Sequence, residues 1–195
     1  MDQRQTNNKH WILAAILILV AAFSRLLPHP YNFSPIAGMA LLGGAVVKDK
    51  RLAFIIPLAA LFISDLCFSL FTAVPGFYGS SQIINYAAFA LIVLLGILLV
   101  KKINAKNVII ASLSASVLFF IISNFGTWVM AGGIPPYTAD AAGLLDTYIL
   151  GIPFFGNTLI GDLVYSGVLF GSYSLLQHYV FTTPKTVKLK VQSKS

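Results

Sequence analysis

The chain has 195 residues, 57% of them hydrophobic and 10% charged, with a mean hydropathy of +0.84, which excludes the ordinary soluble class and marks a membrane protein. The formal charge of +7 does not mark a nucleic-acid binder, because the basic residues stand at the ends of apolar runs, where they orient a chain in a bilayer. A single cysteine, Cys67, excludes an internal disulfide framework and a Cys-based zinc site.

In chain order, apolar runs approaching the length of roughly 17–25 residues that crosses a bilayer predict an all-α polytopic protein of about six transmembrane helices. The first, Trp11 to Leu27, follows a polar stretch (1–10); no small-x-small cleavage site precedes Arg25, so it reads as a retained helix. The second, Pro35 to Val47, is short, and its small residues Ala37, Gly38, Ala40, Gly43, Gly44 and Ala45 predict burial among neighbouring helices. Leu52 to Phe71, Ile83 to Val100 and Val108 to Met130 follow. The last run, Leu150 to Val180, exceeds one span; Gly151, Pro153 and Gly156 predict an irregular entry, with the regular helix starting near Asn157.

Charge tests this count. If six spans alternate, all thirteen Lys and Arg residues except Arg25 fall on one side, which the positive-inside rule makes cytoplasmic, with both termini there. The other side receives Pro28 to Tyr31, the uncharged Thr72 to Ser81, and Ala131 to Tyr148. No repeat divides the chain, so residues 1–195 form one membrane domain, with 181–195 reading as a disordered basic tail.

Ionisable groups inside spans cost several kcal/mol unless paired or wetted, so Arg25, Asp65 and Asp162 are the informative residues. At about 1.5 Å rise per residue, Arg25 and Asp65 lie at similar depth in the outer part of the membrane, close enough to pair. Asp162 shares a helix stripe with Thr158, Tyr165 and Ser172, and Ser112, Ser116, Ser123 and Thr127 form a second stripe on the fifth span. Pairs at four-residue spacing, Ala111 with Ala115, Ala40 with Gly44 and Gly167 with Gly171, predict close helix packing.

Arg25, His29, Asn32, Ser34, Asp65, Asn124, Thr127, Asn157 and Thr158 converge on the outer half, where Tyr31, Phe33, Tyr78, Tyr86, Trp128, Tyr137, Phe154 and Phe155 supply aromatic surface. This reads as an outward-facing pocket for a small, partly apolar molecule. With no Glu, no nucleophile elbow, no zinc motif and no phosphate loop, nothing points to an enzyme, and no catalytic, metal or cofactor-binding residue is assigned.

The run from Ser24 to Gly44 (opening S-R-L-L-P-H-P-Y-N-F-S-P-I-A), Ser64-Asp65-Leu66, Ser123 to Trp128 (S-N-F-G-T-W) and Pro153 to Asp162 (P-F-F-G-N-T-L-I-G-D) resemble an uncharacterised family of small bacterial membrane proteins. That family is similar to the S-components of energy-coupling-factor vitamin transporters, especially the solitary cobalamin type. The resemblance implies an S-component-like bundle in the bacterial inner membrane and a vitamin or cofactor-type substrate. It also implies that His29 and Asp65, with Tyr86 as a further contact, lie near the ligand. Two departures stand out. The cobalamin type carries a cobalt-ligating cysteine in its outer segment, where this chain has Tyr78 to Ser81. The Ala-x-x-x-Ala motif that docks S-components on an energising module is absent, since Ala14, Ala15, Ala21 and Ala22 are spaced by seven.

The expected function is therefore substrate binding for uptake, through Arg25, His29, Asn32, Asp65, Tyr86, Asn124, Trp128, Asn157 and Asp162, with a small molecule and the lipid bilayer as partners. The alternative is a structural or assembly subunit of a larger membrane complex. A weaker one is an intramembrane enzyme pairing Asp65 with Asp162.

Overall fold

The computed structural model describes the backbone of residues 3–181 and the side-chain surroundings of residues 10–179; the predicted tail 181–195 lies almost entirely outside the described residues. Six helices follow one another: α1 (Gln3–Ser24), α2 (Ile36–Val46), α3 (Lys50–Phe71), α4 (Ser81–Leu99), α5 (Ala105–Met130) and α6 (Ala141–Phe181). Their bounds follow the apolar runs within a few residues, except at the start of α1 and α6.

Helix starts are set by side-chain acceptors for the free amides of the first turn. Asp49 accepts from the amides of Arg51 and Leu52 at 2.8 and 3.2 Å, and Asn104 from that of Asn107 at 2.9 Å. The sixth helix departs from expectation, because it is already regular at Ala141. Asp140 Oδ1 accepts from the amide of Gly143 at 2.8 Å and from the Thr138 hydroxyl at 2.7 Å, which nucleates the helix well before Pro153. Tyr148 donates to the Ile121 carbonyl at 2.9 Å, and Gly151 lies against the Asn124 side chain, so packing on α5 holds the helix through the proline. Proline removes one backbone donor, and tertiary contact outweighs that loss here.

Four helices (α3 to α6) are long and apolar enough to cross a membrane, whereas the apolar part of α1 (His10–Ser24) and α2 (Ile36–Val46) are shorter. Large apolar side chains such as Val20, Ile83 and Leu175 point away from the bundle, an outer surface suited to lipid rather than water. Inside, α2 is the hub. Eight of its eleven residues are buried, and it packs on all five other helices. Its glycines permit this: a Cβ on Gly44 would run into the Val93 carbonyl of α4, and one on Gly38 would stand 3.1 Å from the Ser166 amide of α6.

Of the small-residue pairs, Ala111, Ala115, Ala40 and Gly44 are buried as expected. Gly167 and Gly171 are exposed with open space around them, which corrects the expectation of packing there. The inward stripe of α6 is Asp162, Ser166, Leu169, Phe170 and Tyr173, and at 100° per residue the two glycines fall outside it.

The helices alternate in direction, as bonds between their ends show: Arg25 past α1 meets Asp65 late in α3 and Asp65 meets Gln82 at the start of α4, while His10 early in α1 meets Tyr173 late in α6. One end of the bundle gathers the ends of α1, α3 and α5 with the starts of α2, α4 and α6; the opposite end carries Lys48, Lys50, Arg51, Lys101, Lys102 and Lys106. At that basic end His10 Nδ1 lies 2.6 Å from the Tyr173 hydroxyl, tying α1 to α6.

Candidate functional site

Arg25 stands in the turn just past α1 rather than within the helix, and its position follows from a tightening of the chain: Leu26 N bonds the Phe23 carbonyl and Leu27 N the Ser24 carbonyl, both at 3.1 Å. From there Nη1 reaches α3, donating to Asp65 Oδ1 at 2.7 Å and to the Ser64 hydroxyl. The guanidinium lies over the Phe68 ring, 5.3 Å from its centroid. The other carboxylate oxygen of Asp65 accepts from Gln82 Nε2 at 2.9 Å and from the Tyr86 hydroxyl at 2.8 Å, both on α4. A carboxylate 3% exposed thus carries three side-chain donors from two segments of chain, the turn after α1 and α4, the full pairing that burial of a charge demands.

This cluster forms one wall of a cavity of about 900 Å³ at the end of the bundle opposite the basic loops. Arg25, His29, Asn32, Asp65 and Tyr86, all expected site residues, line it, as do Ser34, Tyr31 and Tyr78. Apolar surface comes from Leu61, Phe68, Val74 and Phe119. Asn32 takes a left-handed backbone conformation (φ 60°), which asparagine tolerates better than other side chains with a Cβ, and it carries the chain along the rim into α2. His29 places both ring nitrogens on backbone carbonyls, Nδ1 on Pro30 at 2.9 Å and Nε2 on Arg25 at 3.1 Å.

Asn124 lines a second, smaller cavity of about 110 Å³ with Phe120, Phe154, Phe155 and Thr158, and Asn32 borders both cavities. The remaining expected residues serve elsewhere. Asn157 Nδ2 donates to the Tyr31 carbonyl at 3.0 Å, pinning α6 to the first loop. Trp128 Nε1 donates to the Thr138 carbonyl at 2.8 Å and so anchors the loop between α5 and α6. Thr127 is exposed and bonds back to the Ser123 carbonyl of its own helix, so it leaves the convergent set.

Asp162 lines neither cavity. It is buried between α5 and α6, accepting from the Ser116 hydroxyl at 2.6 Å, one turn from a Ser112–Ser166 contact of 3.2 Å. Ser112 and Ser116 of the α5 stripe thus meet Asp162 of the α6 stripe, with Ser166 beside it, as an interhelical seam, while Thr127 and Thr158 bond back to their own helices. Among the described residues Asp65 and Asp162 share no hydrogen-bond partner.

Gln82 and Phe68 belong to the wall and escape a reading of the sequence. Gln82 resembles a helix-start residue, but its spacing of four from Tyr86 puts both on one face of α4, a signal that was available. Among the described residues no group of three or more His, Cys, Asp or Glu side chains is placed to hold a metal ion.

Fold and site together define a small all-helical protein suited to a membrane, with a polar-walled cavity at one end of its bundle. The chain belongs to a family of unknown function, DUF6580, whose sequence profile matches residues 5–186. No curated protein and no solved structure matches it.

Proposed function

We propose that this protein is a substrate-binding membrane transport protein that takes up a small vitamin or cofactor-type molecule through an outward-facing pocket. The observation that carries the reading is the cavity of about 900 Å³ with the Arg25–Asp65–Gln82–Tyr86 cluster in its wall, a size and a mixture of apolar surface with a few fixed polar groups that suit a small ligand. Its position opposite the basic loops supports an extracellular opening, with six spans and both termini cytoplasmic in the bacterial inner membrane.

The resemblance to S-components supplies the substrate class. A solitary mode of action is supported by α1, where Ala14, Ala21 and Ala22 are buried against the bundle and so are withheld from any energising module. The reading as a structural or assembly subunit gains support from the small-residue faces alone, and of those the one on α2 is occupied by packing within the chain, while Gly167 and Gly171 of α6 face open space.

The test is depletion of small molecules from a defined medium by cells producing the protein, followed by mass spectrometry. One compound should disappear faster than from control cells, and the effect should be lost in Asn85→Trp, which fills the cavity from α4. Identical depletion profiles for producing and control cells would contradict uptake.

A further inference from the structure

We propose that the cavity holds a ligand bearing an anionic oxygen group, a carboxylate or phosphate, on the free N–H edge of Arg25, with the ligand's apolar part against the aromatic wall. This rests on the cavity being a ligand site and names the chemistry of what it takes.

Arginine has five N–H donors in a rigid fork. The two on Nη1 go to Asp65 and Ser64, and among the described residues neither Nε nor Nη2 has a hydrogen-bond partner. These two nitrogens form the side of the fork that matches two oxygens of one anion. They are also reachable: Gln82 Oε1 is the one fully enclosed side-chain polar atom without a partner among the described residues, and Arg25 lines the cavity with its side chain 13% exposed. Phe68 beneath the guanidinium and the bonds to α3 fix the plane of the fork, so the edge is preorganised rather than searching.

The anion partner inside the protein does not answer this edge. Asp65 is the one acid among the lining residues, and both its oxygens are already engaged, one by Arg25 and the other by Gln82 and Tyr86. The wall therefore offers the cavity donors and no open carboxylate oxygen. At the rim, His29 has both ring nitrogens on backbone carbonyls, Nδ1 on Pro30 at 2.9 Å and Nε2 on Arg25 at 3.1 Å, so it turns no open acceptor toward the cavity. A soluble anion and a lipid headgroup phosphate share this chemistry.

The experiment uses the full chain in an uncharged detergent and measures affinity by calorimetry for matched probes: indole-3-acetate, its neutral isostere indole-3-acetamide, and dihexanoylphosphatidylglycerol. Two variants are compared with the wild type. Arg25→Lys keeps a cation for Asp65 and loses the Nε–Nη2 edge; the double variant Arg25→Gln with Asp65→Asn removes both charges and leaves no buried ion unpaired. The wild type should prefer the acid over the amide by about tenfold or more, the size of one charge-assisted hydrogen-bond set, and both variants should lose that preference.

Equal affinity for acid and amide in the wild type, or a preference that survives in both variants, overturns the inference and leaves the cavity as a ligand site. Failure of all three probes to bind overturns the inference, and the depletion profiles then decide separately whether the uptake reading falls with it. Arg25-dependent binding of the phosphatidylglycerol without the indole acid supports the anion subsite, assigns it to a lipid headgroup and contradicts uptake of a soluble substrate.

Discussion

In the cavity wall, Asp65 accepts from Arg25, Gln82 and Tyr86, and so acts on any ligand through the side chains it holds. Removing it strands a guanidinium that is 13% exposed. Asp65→Ala should therefore destabilise the fold by about 3–5 kcal/mol, the range for breaking one side of a buried ion pair, as measured by denaturant titration in detergent. Ser116→Ala removes the hydroxyl that donates to Asp162 at 2.6 Å and should cost about 1–3 kcal/mol. Because Ser116 and Asp162 line neither cavity, ligand affinity should stay at the wild-type level in that variant, as calorimetry would register. The Arg25–Asp65 pairing is legible in the sequence, because opposite charges at matched depth in apolar runs have few other ways to be tolerated. The separation of Asp162 from the cavity is not, because a helical wheel gives the angle of a stripe and leaves open which neighbour faces it.

At the scale of elements, α2 shows how an eleven-residue helix takes the centre of the bundle: it offers backbone where others offer side chains. Gly44→Ala would push a methyl group into the Val93 carbonyl and should cost at least about 1–3 kcal/mol, as overpacking does, whereas Gly167→Ala, with open space, should be neutral or stabilising by up to about 1 kcal/mol. Thermal melts of the two variants in one detergent give the comparison. The burial of α2 is readable from its small residues; the outward facing of Gly167 and Gly171 is not, since the same spacing serves either face.

The early start of α6 rests on Asp140, whose carboxyl is held below its ordinary pKa first by the Gly143 amide and then by the Thr138 hydroxyl. A depressed folded-state pKa means that the stabilisation is complete above the ordinary aspartate value and fades as pH falls through the lower one. Acidification through that window should speed hydrogen exchange at the Gly143 and Leu144 amides, and Asp140→Ala should exchange fast at every pH. The sequence places Asp140 in a loop, and its capping role is hidden by Pro153, which with Gly151 and Gly156 reads as an irregular entry although packing on α5 keeps the helix regular there.

For the whole molecule, the alternation of helices separates function by end. The end with the basic loops is tied by His10 and Tyr173, while the other end opens into a cavity of about 900 Å³. The 41 residues of α6 span about 60 Å at 1.5 Å per residue, twice the hydrocarbon thickness and more than one crossing needs. Six helices, their order and the end at which the polar residues gather are all legible from hydropathy and charge. The cavity itself is not, because its volume depends on how the loop of residues 72–80 lies, with Gly76 held against the Asp65 carbonyl and its amide bonded to the Ser69 hydroxyl at 3.2 Å.

Uptake requires that cavity to hold a ligand. Native mass spectrometry of the protein, extracted from its own membrane in a mild detergent, tests this most directly. The wild type should carry one small molecule per chain and Asn85→Trp, folded to the same degree, should carry none. A wild-type protein that flies free of any small molecule, or a ligand retained unchanged by the filled variant, would contradict it.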